Sequence, residues 1–133
     1  MSTAWLKFAK NADLSELASI GDSFVNLIYS LAVSKTIGKP VGKRASNHVL
    51  SQSLLKSGLR EKAGRRLDKG AMADYVEAMI VQAWINGEIE MHECVSILSS
   101  HLVDPETGPY KLRESSIVAF TELLSEIVTR RVE

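Results

Sequence analysis

The feature that most constrains the fold is a stretch over residues 14–33 in which apolar residues recur at helical spacing. They cover more than half of the helix circumference, which is typical of a central helix, or of one shared between a core and a partner subunit. The remaining face is small and polar, and its members lie three or four apart: Ser15, Ser19, Asp22, Asn26 and Tyr29. Gly21 destabilises this helix by about 1 kcal/mol relative to alanine, so we expect another backbone to approach closely there.

The rest of the chain also follows helical periodicity, with no stretch of strand-like alternation. After a short N-terminal helix and the helix over 14–33, we predict helices over about residues 44–57, 59–66, 71–85, 90–102 and 112–132. Clusters of glycine and proline predict loops at 37–42 and 104–109. A chain of 133 residues with 45% hydrophobic composition is long enough for one core. We therefore predict a single all-α domain over residues 1–133 with six or seven helices, and a core that includes Trp5, Trp84 and Phe120.

The charge distribution is uneven although the formal net charge is zero. Between residues 35 and 69, ten basic residues are opposed only by Glu61 and Asp68, so this segment carries +8 and the remainder −8. Such asymmetry is typical of a polyanion-binding surface. The alternative is a pair of solvated helices that happen to be basic.

Composition and the N-terminal sequence bear on localisation. One cysteine excludes an internal disulfide and fits a reducing compartment. The first residues lack the features of a signal peptide, and no uninterrupted apolar run approaches the roughly 20 residues that cross a bilayer. We expect a cytoplasmic protein without a membrane partner.

Two of the predicted helices carry carboxylates among apolar residues. Asp74 and Glu77 are three apart and share a helix face, and Asp22 would complete a cluster of three. Ionised carboxylates in apolar surroundings are destabilising unless a cation meets them, and Mg²⁺ favours carboxylate oxygens. The sequence therefore predicts a metal-dependent enzyme. Alternatively, Asp22 is an ordinary exposed residue, and the helix dipole favours Asp74 and Glu77 in the first two turns of their helix.

At these stretches the sequence resembles the catalytic domain of the ribonuclease III family. That family's signature helix contains leucine-glycine-aspartate followed by small and apolar residues, here Ile20-Gly21-Asp22 and onward to Asn26. Its second motif is alanine-aspartate, two residues, then glutamate-alanine, here Ala73-Asp74-Tyr75-Val76-Glu77-Ala78. Between them lies a basic helical pair that begins near arginine-alanine, here Arg44-Ala45. Order and separation agree over about residues 14–87.

The chain departs from the family pattern at one position. Larger members carry a glutamate four residues before the signature aspartate, where this chain has Ala18. Glu16 does not replace it, because a residue six positions from Asp22 lies about 120° away around the helix. The compact Mini-III members, whose signature also has alanine there, resemble this chain better. As in those members, we expect no double-stranded RNA-binding domain, and the candidate ligands number three instead of four.

The resemblance implies hydrolysis of double-stranded or structured RNA by a homodimer, with the signature helices (residues 17–31) packed across the dimer axis. It also implies that Asp22, Asp74 and Glu77 are catalytic and hold Mg²⁺ or Mn²⁺, with Glu77 the key ligand. Asn26 is expected to hydrogen-bond a ligand carboxylate. The basic residues that would contact phosphates are Lys43, Arg44, Lys62, Arg65, Arg66 and Lys69. A-form RNA is read mainly by shape and backbone contacts, so little base specificity is needed.

Two other functions stay open. One is a ribonuclease III-like dimer that binds RNA or serves as a scaffold, its catalysis impaired by Ala18. The other is a helical dimeric adaptor without RNA affinity. Salt-dependent duplex binding separates the adaptor from the other two, and metal-dependent cleavage separates the enzyme from the impaired dimer.

Overall fold

The computed structural model describes residues 3–9, 11–63 and 67–132, without the side chains of Lys62 and Ala63. Within these residues the chain forms five α-helices and no strand: α1 (Leu14–Ile37), α2 (Asn47–Ser57), α3 (Lys69–Ile85), α4 (Met91–His101) and α5 (Pro109–Arg131). Three 3₁₀ turns lie between or before them: Lys7–Ala9, Arg60–Ala63 and Pro105–Thr107. The all-α class is confirmed.

The predicted number of six or seven helices is wrong. The short N-terminal helix is a single 3₁₀ turn, and so is the described part of the helix expected over 59–66. Of the apolar side chains in this segment, Leu6 and Ala9 are buried, whereas Trp5 is 68% exposed and Phe8 72%. A segment this short needs a buried apolar face to hold an α-helix, since isolated short helices are marginal in water.

Capping residues set where the helices begin. Asp13 caps α1 in a reciprocal box, in which its Oδ1 accepts the Glu16 N–H at 2.9 Å and Glu16 Oε1 accepts the Asp13 N–H at 3.0 Å. Ser46 and Asp68 cap α2 and α3, so α2 begins later and α3 earlier than predicted. Pro109 opens α5 instead of ending a loop, because a proline in the first turn loses no helical hydrogen bond.

The core lies between α1 and α3 and under the other three helices. α1 packs most extensively on α3, while α2 contacts α3 and α5, and α4 contacts α1 and α5. Phe120 is fully buried, as predicted, and Trp84 is half-buried and stacked on Phe24 with ring centroids 4.7 Å apart. The prediction that Trp5 belongs to the core is wrong, since the N-terminal turn leaves its ring in solvent.

Among the described residues, α1 has the length and composition of a membrane-spanning helix, with mean hydropathy 1.3. The prediction had counted only uninterrupted apolar runs and so missed it. In this fold, 44% of the qualifying window is buried against other helices, and the core helix of a soluble protein meets the same criteria. The expected absence of a membrane partner stays a prediction.

Candidate active site

Gly21 lies where α1 crosses α3, and its missing side chain is what permits the approach. A Cβ at this position would lie 2.5 Å from the carbonyl oxygen of Glu77 and 2.7 Å from its carbonyl carbon. Both are backbone atoms and cannot rotate away. The close approach predicted from Gly21 is confirmed, and the crossing brings Asp22 beside Glu77.

Asp22 and Glu77 form a carboxyl pair at this crossing. Glu77 is buried, with 4% exposure, whereas the Asp22 side chain is 45% exposed. Burial raises the pKa of Glu77 to about 8, helped by the hydrogen bond with Asp22 and by the negative charges of Asp22 and Asp74, while Arg44 opposes the rise. A hydrogen bond between two carboxyl groups needs a proton on one of them. Added positive charge would favour the ionised form of both carboxyls, and a divalent cation could supply that charge.

Asp74 lies one turn before Glu77 but faces solvent. Its charge reaches Glu77, yet among the described residues no group of three or more His, Cys, Asp or Glu side chains is arranged to hold a metal ion. The structure thus brings together Asp22 and Glu77 and leaves Asp74 apart, so the site of three ligands stays a prediction. Because α3 begins at Lys69, Asp74 and Glu77 both lie beyond its first turn. The helix dipole has little effect on charges at those positions.

A pocket of about 340 Å³ adjoins Asp74 and is also lined by Ala18, Ser15 and Tyr75. Ala18 is the position where larger ribonuclease III members carry a glutamate. Ala18 and Asp74 therefore border the same pocket.

Asn26 and Arg44 approach the same oxygen of Asp22. Asn26 Nδ2 donates to Asp22 Oδ1 at 3.2 Å, the contact expected from their one-turn spacing. Arg44 Nη2 lies 3.7 Å from this Oδ1, and the Arg44 side chain is 80% exposed. An ion pair this exposed contributes little to stability, which leaves the guanidinium available to an anion that approaches the carboxyl pair.

The polar face of α1 differs from the predicted one beyond Asn26. Tyr29 is buried, and its hydroxyl is 2.7 Å from Ser116 Oγ in the core. The face continues instead through Ser30 and Ser34, whose hydroxyls bind the loop after α1. Sequence reasoning missed these two serines. The signal was the spacing, since Ser30 follows Asn26 by four residues and Ser34 follows Ser30 by four, which keeps the three on one helix face.

Three of the six basic residues predicted to bind phosphate are described with their side chains. Lys43 and Arg44 are exposed in the loop between α1 and α2, and Lys69 is exposed at the start of α3. Arg65 and Arg66 lie outside the described residues, and the side chain of Lys62 is not described. Of the three that are, Arg44 borders the carboxyl pair.

The fold and site define an all-α domain whose two central helices cross at a glycine and present a partly buried carboxyl pair beside cationic residues. The family model for ribonuclease III matches residues 15–133. The chain belongs to the ribonuclease III family, as its two motifs predicted, and the family is one of endoribonucleases. A comparison with curated proteins finds no match.

The residues at the crossing fit a hard divalent cation by their chemistry. Asp22 and Glu77 offer carboxylate oxygens, and added positive charge would favour the ionised form of Glu77, whose pKa burial raises. Mg²⁺ in proteins is commonly held by one or two carboxylates, with water and substrate phosphate completing its coordination. The carboxylates of Asp22 and Glu77 therefore match this ligand chemistry in type and number.

Proposed function

We propose that the protein is a Mg²⁺-dependent endoribonuclease that hydrolyses phosphodiester bonds in double-stranded or structured RNA. The observation that carries this proposal is the Asp22–Glu77 pair, joined at the Gly21 crossing in a chain of the ribonuclease III family. A buried carboxyl whose pKa is strongly raised by burial and by a second carboxyl is typical of functional sites.

Each residue at the crossing has a part in this chemistry. When bound, a divalent cation activates water and neutralises charge on the scissile phosphate. Asp22 and Glu77 would hold it, and Asn26 keeps the Asp22 carboxylate oriented through the bond to Oδ1. Asp74 would contribute from the preceding turn of α3, through a bound water or by rotating toward the pair. Arg44 would contact a phosphate oxygen beside the reacting one.

The basic segment would contact the RNA backbone. Lys43, Arg44 and Lys69 are exposed, and Lys62, Arg65 and Arg66 belong to the same +8 stretch of sequence. Lysine and arginine contacts to phosphates are independent of sequence and weaken as salt rises. This suits a duplex substrate that is recognised by its A-form shape.

An apolar face on α1 supports assembly with a second copy of the chain. Ile20, Leu27 and Leu31 are 38%, 46% and 42% exposed, and their spacing of seven and four keeps them on one face. Leu31 also lines a groove of about 690 Å³, in which half of the lining residues are apolar, among them Trp84 and Met91. In a homodimer through residues 17–31, this face would be covered by its symmetry mate.

The dimer is tested by light scattering on the Leu27→Asp/Leu31→Asp variant. We expect the wild type to have twice the monomer mass and the variant to be a folded monomer, because two charges would be buried in the interface. Val118→Asp on α5 is the matched control, since Val118 is equally exposed at 48% but lies on a different helix. A monomeric wild type contradicts the proposal.

A second candidate function is an RNA-binding dimer with impaired catalysis. It is favoured by the separation of Asp74 from the carboxyl pair and by Ala18 at the position of the family's glutamate. It predicts duplex binding of the same salt dependence, with no cleavage in Mg²⁺ or Mn²⁺.

Cleavage of a structured RNA by wild type, Glu77→Gln and Glu122→Gln in Mg²⁺, Mn²⁺ or Ca²⁺ tests both candidates. Glu122 is exposed on α5 and is the matched control. The endonuclease predicts cleavage by wild type and Glu122→Gln, and at least about a 100-fold loss in Glu77→Gln, since even residues that support metal ligands contribute 10- to 100-fold. Binding without cleavage in every variant supports the second candidate. Wild type that neither binds nor cleaves overturns both.

A further inference from the structure

Two serines on α1 each hold one residue of the following loop by two hydrogen bonds. Ser30 Oγ accepts the N–H of Lys43 at 2.8 Å and donates to the carbonyl oxygen of Lys43 at 2.9 Å. One turn later, Ser34 Oγ accepts the N–H of Val41 at 2.9 Å and donates to its carbonyl oxygen at 3.1 Å. A single hydroxyl thus satisfies both backbone groups of one loop residue, twice in succession.

Asn26 extends this series toward the active site. Its Oδ1 accepts the N–H of Ala45 at 2.8 Å, while its Nδ2 donates to Asp22 Oδ1. Asn26 therefore links the loop backbone directly to a carboxyl of the site. We call residues 41–45 the strap, because the face of α1 formed by Asn26, Ser30 and Ser34 holds them along that helix.

The spacing of these contacts explains why they form. Every fourth residue of a helix advances about 6.0 Å along its axis, and every second residue of an extended chain advances about 6.6 Å. An extended strap that runs antiparallel to α1 therefore presents residues 45, 43 and 41 to helix positions 26, 30 and 34 in turn. A shift of one residue would break all five hydrogen bonds at once, so the register is fixed.

The strap carries two of the cationic residues expected to contact phosphates, and one of them lies beside the carboxyl pair. Lys43 and Arg44 are exposed, and the Arg44 guanidinium is 3.7 Å from Asp22. That contact is too exposed to hold Arg44 by itself. Gly38 and Gly42 flank and interrupt the segment, so without the hydrogen bonds from α1 its backbone would sample many conformations.

We propose that Ser30 and Ser34 are positioning residues for the RNA backbone. They do not contact the substrate. They hold the strap in one register, so that Lys43 and Arg44 bind phosphates at a fixed distance from Asp22 and Glu77. This inference rests on the proposed function and assigns to it two residues that sit away from the carboxyl pair.

The test compares Ser30→Ala/Ser34→Ala with Lys43→Ala/Arg44→Ala, with their combination, and with Ser99→Ala/Ser100→Ala as the matched control. Ser99 and Ser100 donate only to carbonyls within their own helix, α4. Binding of an RNA duplex is measured as the dependence of log Kd on log salt concentration, and cleavage as kcat and KM. Tryptic cleavage after Lys43 and Arg44 reports release of the strap independently of RNA.

We expect Ser30→Ala/Ser34→Ala to accelerate tryptic cleavage of the strap and to reduce the salt slope by about one to two, as each lost phosphate contact removes about one. Lys43→Ala/Arg44→Ala should give the same reduction, and the combined variant no more, because both changes remove the same contacts. Ser30→Thr/Ser34→Thr, which keeps the hydroxyls, should restore most of the binding. The control should match wild type.

The outcomes separate this inference from the proposed function. If wild type binds and cleaves RNA but the serine variant has an unchanged salt slope despite a released strap, the positioning role is overturned. Unchanged proteolysis shows that the serines do not hold the strap, and additive effects in the combined variant also contradict the inference. If wild type binds no RNA, the proposed function itself fails.

Discussion

Glu77 on α3 and Glu93 on α4 are glutamates whose pKa values are shifted in opposite directions by their surroundings. Arg130 donates to both carboxylate oxygens of Glu93, at 3.0 Å and 2.7 Å, and chiefly for this reason the pKa of Glu93 is lowered to about 2. Glu77 is buried against another carboxyl, and its pKa is raised to about 8. The first charge is satisfied within the chain and the second is not.

The difference separates an acid whose charge is paired within the fold from an acid that is a candidate for function. Arg130 also donates to Glu126 at 2.8 Å and to the Glu88 carbonyl at 3.1 Å, so Glu93 helps to fasten the end of α5 to the start of α4. No cation of comparable geometry meets Glu77 among the described residues, where Arg44 is mostly in solvent. A buried carboxylate whose charge is not paired within the chain is destabilising, and a bound cation would stabilise it.

The largest expected difference between the two glutamates is in activity. Glu77→Gln should lower kcat at least about 100-fold while the protein stays folded, since a neutral amide replaces a carboxyl that is itself protonated in the metal-free state. Glu93→Gln should leave kcat unchanged, because Glu93 lies away from the crossing. Cleavage rates and thermal melts of both variants check this. Equal loss of activity in Glu77→Gln and Glu93→Gln would contradict the assignment of only Glu77 to the active site.

The crossing that creates the carboxyl pair can be broken at Gly21. Gly21→Ala should destabilise the fold by about 1–3 kcal/mol, the usual range for overpacking, and should part Asp22 from Glu77. Better helix propensity offsets about 1 kcal/mol of this. Gly42→Ala is the control for unfolding measurements, because a Cβ there meets nothing within 4 Å. Unchanged stability and activity in Gly21→Ala would mean that the helices do not need this approach.

The two acids should give opposite pH dependences of stability. The folded pKa of Glu77, about 8, lies above its ordinary 4.5, so its contribution is fully present below pH 4.5 and is lost as pH rises to 8. In metal-free protein the free energy of unfolding should fall by at most about 1.4 kcal/mol per pH unit there. Denaturant titrations from pH 5 to 8 measure this slope. Glu77→Gln should remove it, and saturating Mg²⁺ should counteract it by stabilising the folded state. An identical slope in Glu77→Gln contradicts the assignment.

The smallest effect is expected at Glu93. Its folded pKa, about 2, lies below 4.5, so the ion pair stabilises fully above pH 4.5 and is lost as pH falls to 2. Because both side chains are about a third exposed, Glu93→Gln should lower stability at pH 7 by no more than about 1 kcal/mol, and less in high salt. Melts at pH 3 and pH 7 test it. A larger loss of stability in Glu93→Gln at pH 3 than at pH 7 would contradict the prediction.

Several elements followed from local sequence. Three of them depend on what a single residue can do within a helix or turn. They are the start of α1 after Asp13, the end of α2 before Gly58, and the close approach of α3 at Gly21. Trp5 shows the limit of such reasoning. It lies in an apolar pattern, but the short N-terminal turn does not bring its ring against the core. The local sequence pattern does not reveal how far a side chain lies from the core.

The sequence predicted the site only in part. Motif spacing identified Asp22, Asp74 and Glu77 together, yet two of them are joined and the third faces solvent. Ser30 and Ser34 were missed because their partners, Lys43 and Val41, are recognisable only once the loop is known to fold back along α1.

Helical periodicity, capping residues and the order of the two motifs determined the all-α fold and the family without any tertiary information, because each depends only on which residues stand at which positions along the chain. Only the packing of α1 on α3 decided which carboxyl is buried and which partner it meets. Burial and electrostatic energy depend on distances between residues far apart in sequence, and those distances exist only in the folded chain.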